Sequence, residues 1–205
     1  MSDPTVVTIS IGGMADYVTA SSSQKLSVVI GLVDMYGTPY NRGRDFYRGV
    51  RKAIDDGLVL GQDVRRVREA LDTCLPGQRK SYEAVADGWQ TWRGRKDLQR
   101  YAETTYRHEQ GLKVRVSPRF VHRQLRRRDL IWPYFKGAEL SRDGAQTAIR
   151  LMELACPADA GTAAVLDVRR GQLHRPRRRD RDYDTWLRSE VTGMLRMYET
   201  LARAA

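Results

Sequence analysis

The chain has 205 residues, 41% hydrophobic and 30% charged, with 36 Lys and Arg against 25 Asp and Glu for a formal net charge of +11. These figures exclude a wholly disordered chain and one too small to bury a core, and they raise the weight of a polyanionic partner. The excess is uneven: residues 1–112 carry a net +2, residues 113–188 a net +9, and residues 189–205 are neutral.

Val7, Ile9 and Ile11 alternate with Thr8 and Ser10, which predicts a short strand broken by Gly12-Gly13. Ser21–Ser23 offer cap oxygens to a helix whose Leu26, Val29, Ile30 and Val33 recur at helical spacing until Gly37 and Pro39 end it. A second helix, from about Asp45 to Asp56, sets Phe46, Val50 and Ile54 inward. A third, from Asp63, buries Val64, Val67 and Leu71 and stops before Pro76-Gly77. A fourth, from about Gln78 to Arg93, aligns Tyr82, Val85, Trp89 and Trp92.

Near residue 103 the period changes from helical to alternating. Thr104–Arg107, a turn over His108–Gly111, and Leu112–Val116 form a hairpin pattern. Asp129–Lys136 is a further strand that Pro133 demotes to an edge or a bulge. Ser141 caps a helix carrying Ala145, Ala148, Ile149, Met152 and Leu154. Ala163–Val168, the turn Arg169-Arg170-Gly171 and Gln172–Arg175 make a second hairpin. The last helix, about Tyr183 to Ala202, places Tyr183, Leu187, Val191, Met194, Tyr198 and Leu201 on one stripe. The expected class is α+β: a mainly helical region over 1–102, then a basic unit over 103–205 with a small antiparallel sheet of order βββαββα. The two regions packing as one compact domain is the alternative.

Cys74 and Cys156 lack neighbouring Cys or His at ligand spacing, so two reduced, part-buried thiols are expected, with no metal site and no cofactor. The apolar run Leu26–Val33 falls far short of the roughly 20 residues of a membrane span, and the acidic start resembles no secretory leader. The expectation is a cytoplasmic protein without membrane contact.

Arginine outnumbers lysine by 30 to 6, a ratio that a GC-rich genome explains, although it does not explain the clustering. Arg123, Arg126, Arg127 and Arg128 lie between predicted strands, with Lys136 beyond them. Arg169, Arg170, Arg175, Arg177, Arg178, Arg179 and Arg181 surround the second hairpin and the loop after it. Guanidinium groups bind phosphates bidentately at any relevant pH, so both clusters are expected to grip a DNA or RNA backbone. Trp132, Tyr134 and Phe135 are read as core before base-stacking residues. Arg65, Arg66 and Arg68 suggest a recognition helix, but the Gly57–Gln62 link is too long for a helix-turn-helix.

The helix-β-β-β-helix-β order over about residues 78–168 is similar to the core of the restriction-endonuclease-like nucleases. That resemblance implies an Asp on the second strand and a Glu-x-Lys pair on the third, carboxylates that hold Mg²⁺. Here Leu112–Ser117 contains no acid, and Tyr134-Phe135-Lys136 keeps only the lysine; Asp167 stands alone. The first reading is therefore a non-catalytic, nucleic-acid-binding accessory subunit of bacterial style. A structural or adaptor subunit, partnered or dimerised through the C-terminal helix, is the second; a degenerate or rearranged nuclease is the third.

Overall fold

In the computed structural model, which describes residues 6–37, 45–109 and 111–204, the chain is α+β. Its elements are β1 (Val7–Ser10), α1 (Ile11–Thr19), α2 (Ser22–Tyr36), α3 (Arg48–Leu60), α4 (Asp63–Glu69), α5 (Arg79–Arg93), β2 (Asp97–Arg100), β3 (Thr105–Glu109) and β4 (Leu112–Val116). There follow β5 (Phe120–Gln124), β6 (Arg127–Tyr134), α6 (Arg142–Ala155), β7 (Thr162–Asp167), β8 (Gln172–His174) and α7 (Tyr183–Ala204). A five-stranded sheet runs β2-β5-β6-β7-β8, and a three-stranded sheet runs β1-β4-β3.

The alternation of β6 divides the interior into two cores. Leu130 and Tyr134 are buried with α1, α2, α6, α7 and the three-stranded sheet, and Trp132 packs half-buried against them. Ile131 and the following Phe135 face α3, α4 and α5, whose Val50, Ile54, Val67, Tyr82, Val85, Trp89 and Trp92 form the second core. Full burial of such side chains stabilises by roughly 1.5–3 kcal/mol each, so both layers are held by apolar packing. Residues from both sides of position 102 enter each core, and β1 pairs in parallel with β4 across that boundary.

Several local expectations need correcting. The strand does end before Gly12-Gly13, at Ser10, but Ile11 opens α1 instead of continuing β1: Ser10 Oγ accepts from Gly13 N, and a Cβ on Gly13 would stand 2.9 Å from Leu32 Cδ2. Gly13 thus serves the close packing of α1 on α2. On α2, Val29 and Leu32 are buried while Leu26 and Ile30 are exposed, because α1, β1 and α7 cover a stripe rotated from the expected one. This helix ends at Tyr36 before Gly37; Pro39 lies outside the described residues. α3 runs on through Gly57 to Leu60, which leaves only Gly61-Gln62 before α4. The link is therefore short, but Arg65, Arg66 and Arg68 are paired with Glu69 and Asp87.

β2 and β5 carry no clear hydrophobic period in the sequence. β2 exposes all but Leu98, and β5 buries Phe120, Val121 and His122 in succession because both faces of the sheet are covered there. The basic unit thus contains an additional strand before α6, and its sheet is mixed, with β6 parallel to β7. β6 is the central strand, not an edge. Its Pro133 is tolerated because the Ile131 carbonyl accepts from Arg119 N–H on the β5 side. Residue 133 turns its backbone the same way, past the last β5 pair at Ile131, where no ladder donor is needed. The apolar stripe of α7 is consumed within the chain: Leu187, Val191 and Met194 are buried, with Tyr183, Tyr198 and Leu201 packed on the first core. Among the described residues, no helix is long and apolar enough to cross a membrane.

Candidate nucleic-acid interface

Antiparallel pairing fixes which arginines share a face. His122 pairs with Asp129 and Gln124 with Arg127, so these four belong to the α5 side of the sheet; Arg123 pairs with Arg128 on the opposite, α6 side. Asp129 is fully buried and gathers the first set. Its Oδ1 accepts from Arg127 Nε at 2.6 Å, and its Oδ2 accepts from Gln124 Nε2 and Arg175 Nη2, each at 3.1 Å. His122 Nδ1 stands 3.9 Å from the same carboxylate, with its ring edge-on to Trp92. One buried charge thus ties β5, β6 and the segment after β8 together. Nothing in the string RRD marks Asp129 as buried.

The segment 175–181 is strapped over α6. Gln146 donates Nε2 to the Arg175 carbonyl at 3.0 Å and accepts from Arg177 N at 3.1 Å. Arg179 meets Glu153 in a two-pronged pair at 2.9 Å and lies over the Tyr183 ring. Arg150 bonds Asp184, which holds that carboxyl below the usual aspartate range, and Thr147 meets the Tyr183 hydroxyl at 3.2 Å. Arg179 is therefore a structural clasp.

Apart from Arg169 and Arg170, six of the expected arginines remain. Arg123, Arg126, Arg128, Arg177, Arg178 and Arg181 are exposed, and none of their side chains makes an ion pair or hydrogen bond among the described residues. Three of them line an open cleft of about 680 Å³ between the β5–β6 hairpin and the 158–162 turn that joins α6 to β7. Gly161 closes that turn at φ 132°, where a Cβ would lie 2.8 Å from the Arg128 carbonyl oxygen, so the turn approaches β6 as only glycine allows. The strap reaches the end of α6 from which this turn departs, where Glu153 holds Arg179.

The remaining expected residues lie elsewhere. Arg169 and Arg170 form the 168–170 turn between β7 and β8, at the far end of the sheet. β7 reaches from Asp129 to Tyr134 along β6, about 16 Å of strand. There Arg170 bonds buried Asp167 at 3.0 Å and the Gly137 carbonyl at 2.8 Å, and Lys136 pairs with Asp16. The nuclease-like order also falls on different strands. α5 leads into β2, β5 and β6, while the expected hairpin, β3–β4, belongs to the other sheet. The acids of the central strands do not fit a magnesium site: Asp129 and Asp167 sit at opposite ends, each engaged by arginine. Cys74 and Cys156 are unpaired and half-buried. Among the described residues, no group of three or more His, Cys, Asp or Glu is placed to hold a metal ion.

Burial depresses the pKa of His122 below the ordinary 6.5; Asp129 opposes this, and Lys96 and Arg175 reinforce it. Burial depresses His174 in the same direction. In the window below 6.5 the unfolded chain therefore binds more protons than the folded one. The stability contributed by neutral histidine is complete above that pH and is lost as pH falls through the folded-state values. The urea midpoint is expected to fall between about pH 7.5 and about pH 5. His122→Gln combined with His174→Gln should flatten that fall. Searched against protein-family models, curated proteins and solved structures, the chain matches none of them.

Proposed function

We propose that this protein binds nucleic acid through the phosphate backbone, using the arginines around the β5–β6 hairpin and the strap over α6. The observation that carries this reading is the sorting of the basic residues. Arg127, Arg170, Arg175 and Arg179 are engaged by carboxylates, whereas Arg123, Arg126 and Arg128 line one open cleft and Arg177, Arg178 and Arg181 lie exposed along the segment strapped over α6, with no ion pair or side-chain hydrogen bond among the described residues. Uncompensated guanidinium groups at such density repel one another and destabilise the free protein, and an anionic ligand relieves that repulsion. Gln146 fixes the backbone of the strap that carries Arg177, so less ordering is needed there on binding.

Phosphate contacts release counterions, which makes the salt dependence diagnostic. The logarithm of the association constant is expected to fall linearly with the logarithm of salt concentration. Substituting Arg126 and Arg128 together by Ala should reduce that slope by about 2, near 0.9 for each lost phosphate contact, without lowering the thermal midpoint. Lys136→Ala, at the opposite end of the sheet, should leave the slope unchanged. Fluorescence-anisotropy titrations of a labelled duplex at several salt concentrations measure this, and salt-insensitive or absent binding to both DNA and RNA would overturn the reading.

A further inference from the structure

We propose that the tip of the β5–β6 hairpin enters the minor groove of duplex DNA with Leu125 as a wedge between base pairs, an inference that rests on the nucleic-acid reading above. Three observations converge on it. First, Leu125 is 100% exposed, so it contributes nothing to either core. Second, it sits in a two-residue turn, Leu125-Arg126, closed by the Gln124–Arg127 pair. Such turns favour residues that tolerate positive φ, above all Asn-Gly, so neither turn geometry nor packing accounts for a leucine here. Third, the hairpin outreaches its neighbours. β2 begins at Asp97 opposite Arg123, β7 begins at Thr162 opposite Asp129, and the 158–162 turn packs against Arg128, which leaves residues 124–127 as the part that extends past the last strand pairs.

That overhang is about two residues per strand, near 7 Å, against a minor groove roughly 7.5 Å deep; the groove is only about 6 Å wide and must open to admit the ribbon, as a wedge that bends DNA toward the major groove makes it do. An apolar side chain at its summit with arginine behind it is the arrangement by which minor-groove proteins unstack a base step and bend the duplex away. Arg126 shares the tip, and Arg123 and Arg128 pair across the two strands on one face of its base, so the wedge is bordered by guanidinium groups that can meet phosphate. A-form RNA has a wide, shallow minor groove that gives a narrow hairpin little purchase, which makes duplex DNA the expected ligand.

The test reads DNA shape apart from DNA binding. A duplex of about 100 bp is shorter than the roughly 150 bp persistence length, so ligase closes it into circles slowly unless it is bent. The wild-type protein is expected to accelerate circularisation about tenfold or more and to shift the linking number of a plasmid relaxed by topoisomerase in its presence. Leu125→Ala should lose both effects while binding linear duplex within about tenfold of wild type, since the phosphate contacts remain. Leu125→Met should retain both. Wild-type binding to duplex with neither effect, effects unaltered in Leu125→Ala, or binding confined to single strands or RNA would overturn the wedge and leave backbone binding standing. No binding to any nucleic acid would overturn both.

Discussion

Asp129→Ala is expected to weaken the fold by about 2 kcal/mol and, at the same time, to tighten nucleic-acid binding. The carboxylate is fully buried, whereas the Arg127 and Arg175 side chains are 40% and 43% exposed. Removing one member of a wholly buried pair costs about 3–5 kcal/mol because a charge is stranded; here water reaches both guanidinium groups and reduces the loss. The substitution also releases two arginines and removes a negative charge beside the cleft. The salt slope of binding should steepen by about 1–2, as newly available cations meet phosphates. Urea unfolding and anisotropy titration on the same preparation measure both effects. A destabilised variant with weaker binding would mean that Asp129 orders the interface more than it competes with the ligand.

The other large effect is expected far from the arginines. Gly88 lies where α5 presses against the 168–170 turn, and a Cβ there would stand 2.0 Å from the Val168 carbonyl oxygen and 2.6 Å from Arg169 backbone atoms. Both obstacles are main chain, so no side chain can rotate away. Gly88→Ala should therefore destabilise by about 3 kcal/mol or more, at the upper end of overpacking effects. Gly31→Ala is the control. Gly31 is exposed on α2 with nothing within 4 Å of its would-be Cβ, and alanine there should stabilise by about 0.5–1 kcal/mol through helix propensity. Thermal or urea midpoints of the two variants should move in opposite directions.

Much of the secondary structure was legible because its signals are local. Ser141 does cap α6, accepting from Gly144 N, and the periodicity of Tyr82, Val85, Trp89 and Trp92 does mark the buried stripe of α5. The alternation along β6 is enough to set Trp132 and Tyr134 on one face and Ile131, with Phe135 just after the strand, on the other. β5 was not legible: three consecutive buried residues followed by charge carry no period, and only the helical layers on both sides of the sheet explain them. The same holds for Pro133, whose tolerance depends on where a neighbouring strand stops.

The candidate site divides along the same line. From the sequence alone came the concentration of positive charge in residues 113–188 and the two arginine clusters, because net charge and its position are properties of the string. Which arginines are available was decided only in three dimensions. Strand pairing sends Arg127 to a buried carboxylate and Arg128 to the opposite face, although the two are adjacent in the chain. Chain direction carries Arg175 back to Asp129 while Arg170 stays at the far end of the sheet with Asp167. Composition sets how much charge the protein carries, but pairing a charge requires contact within a few ångströms, and it is the tertiary fold that makes or withholds those contacts.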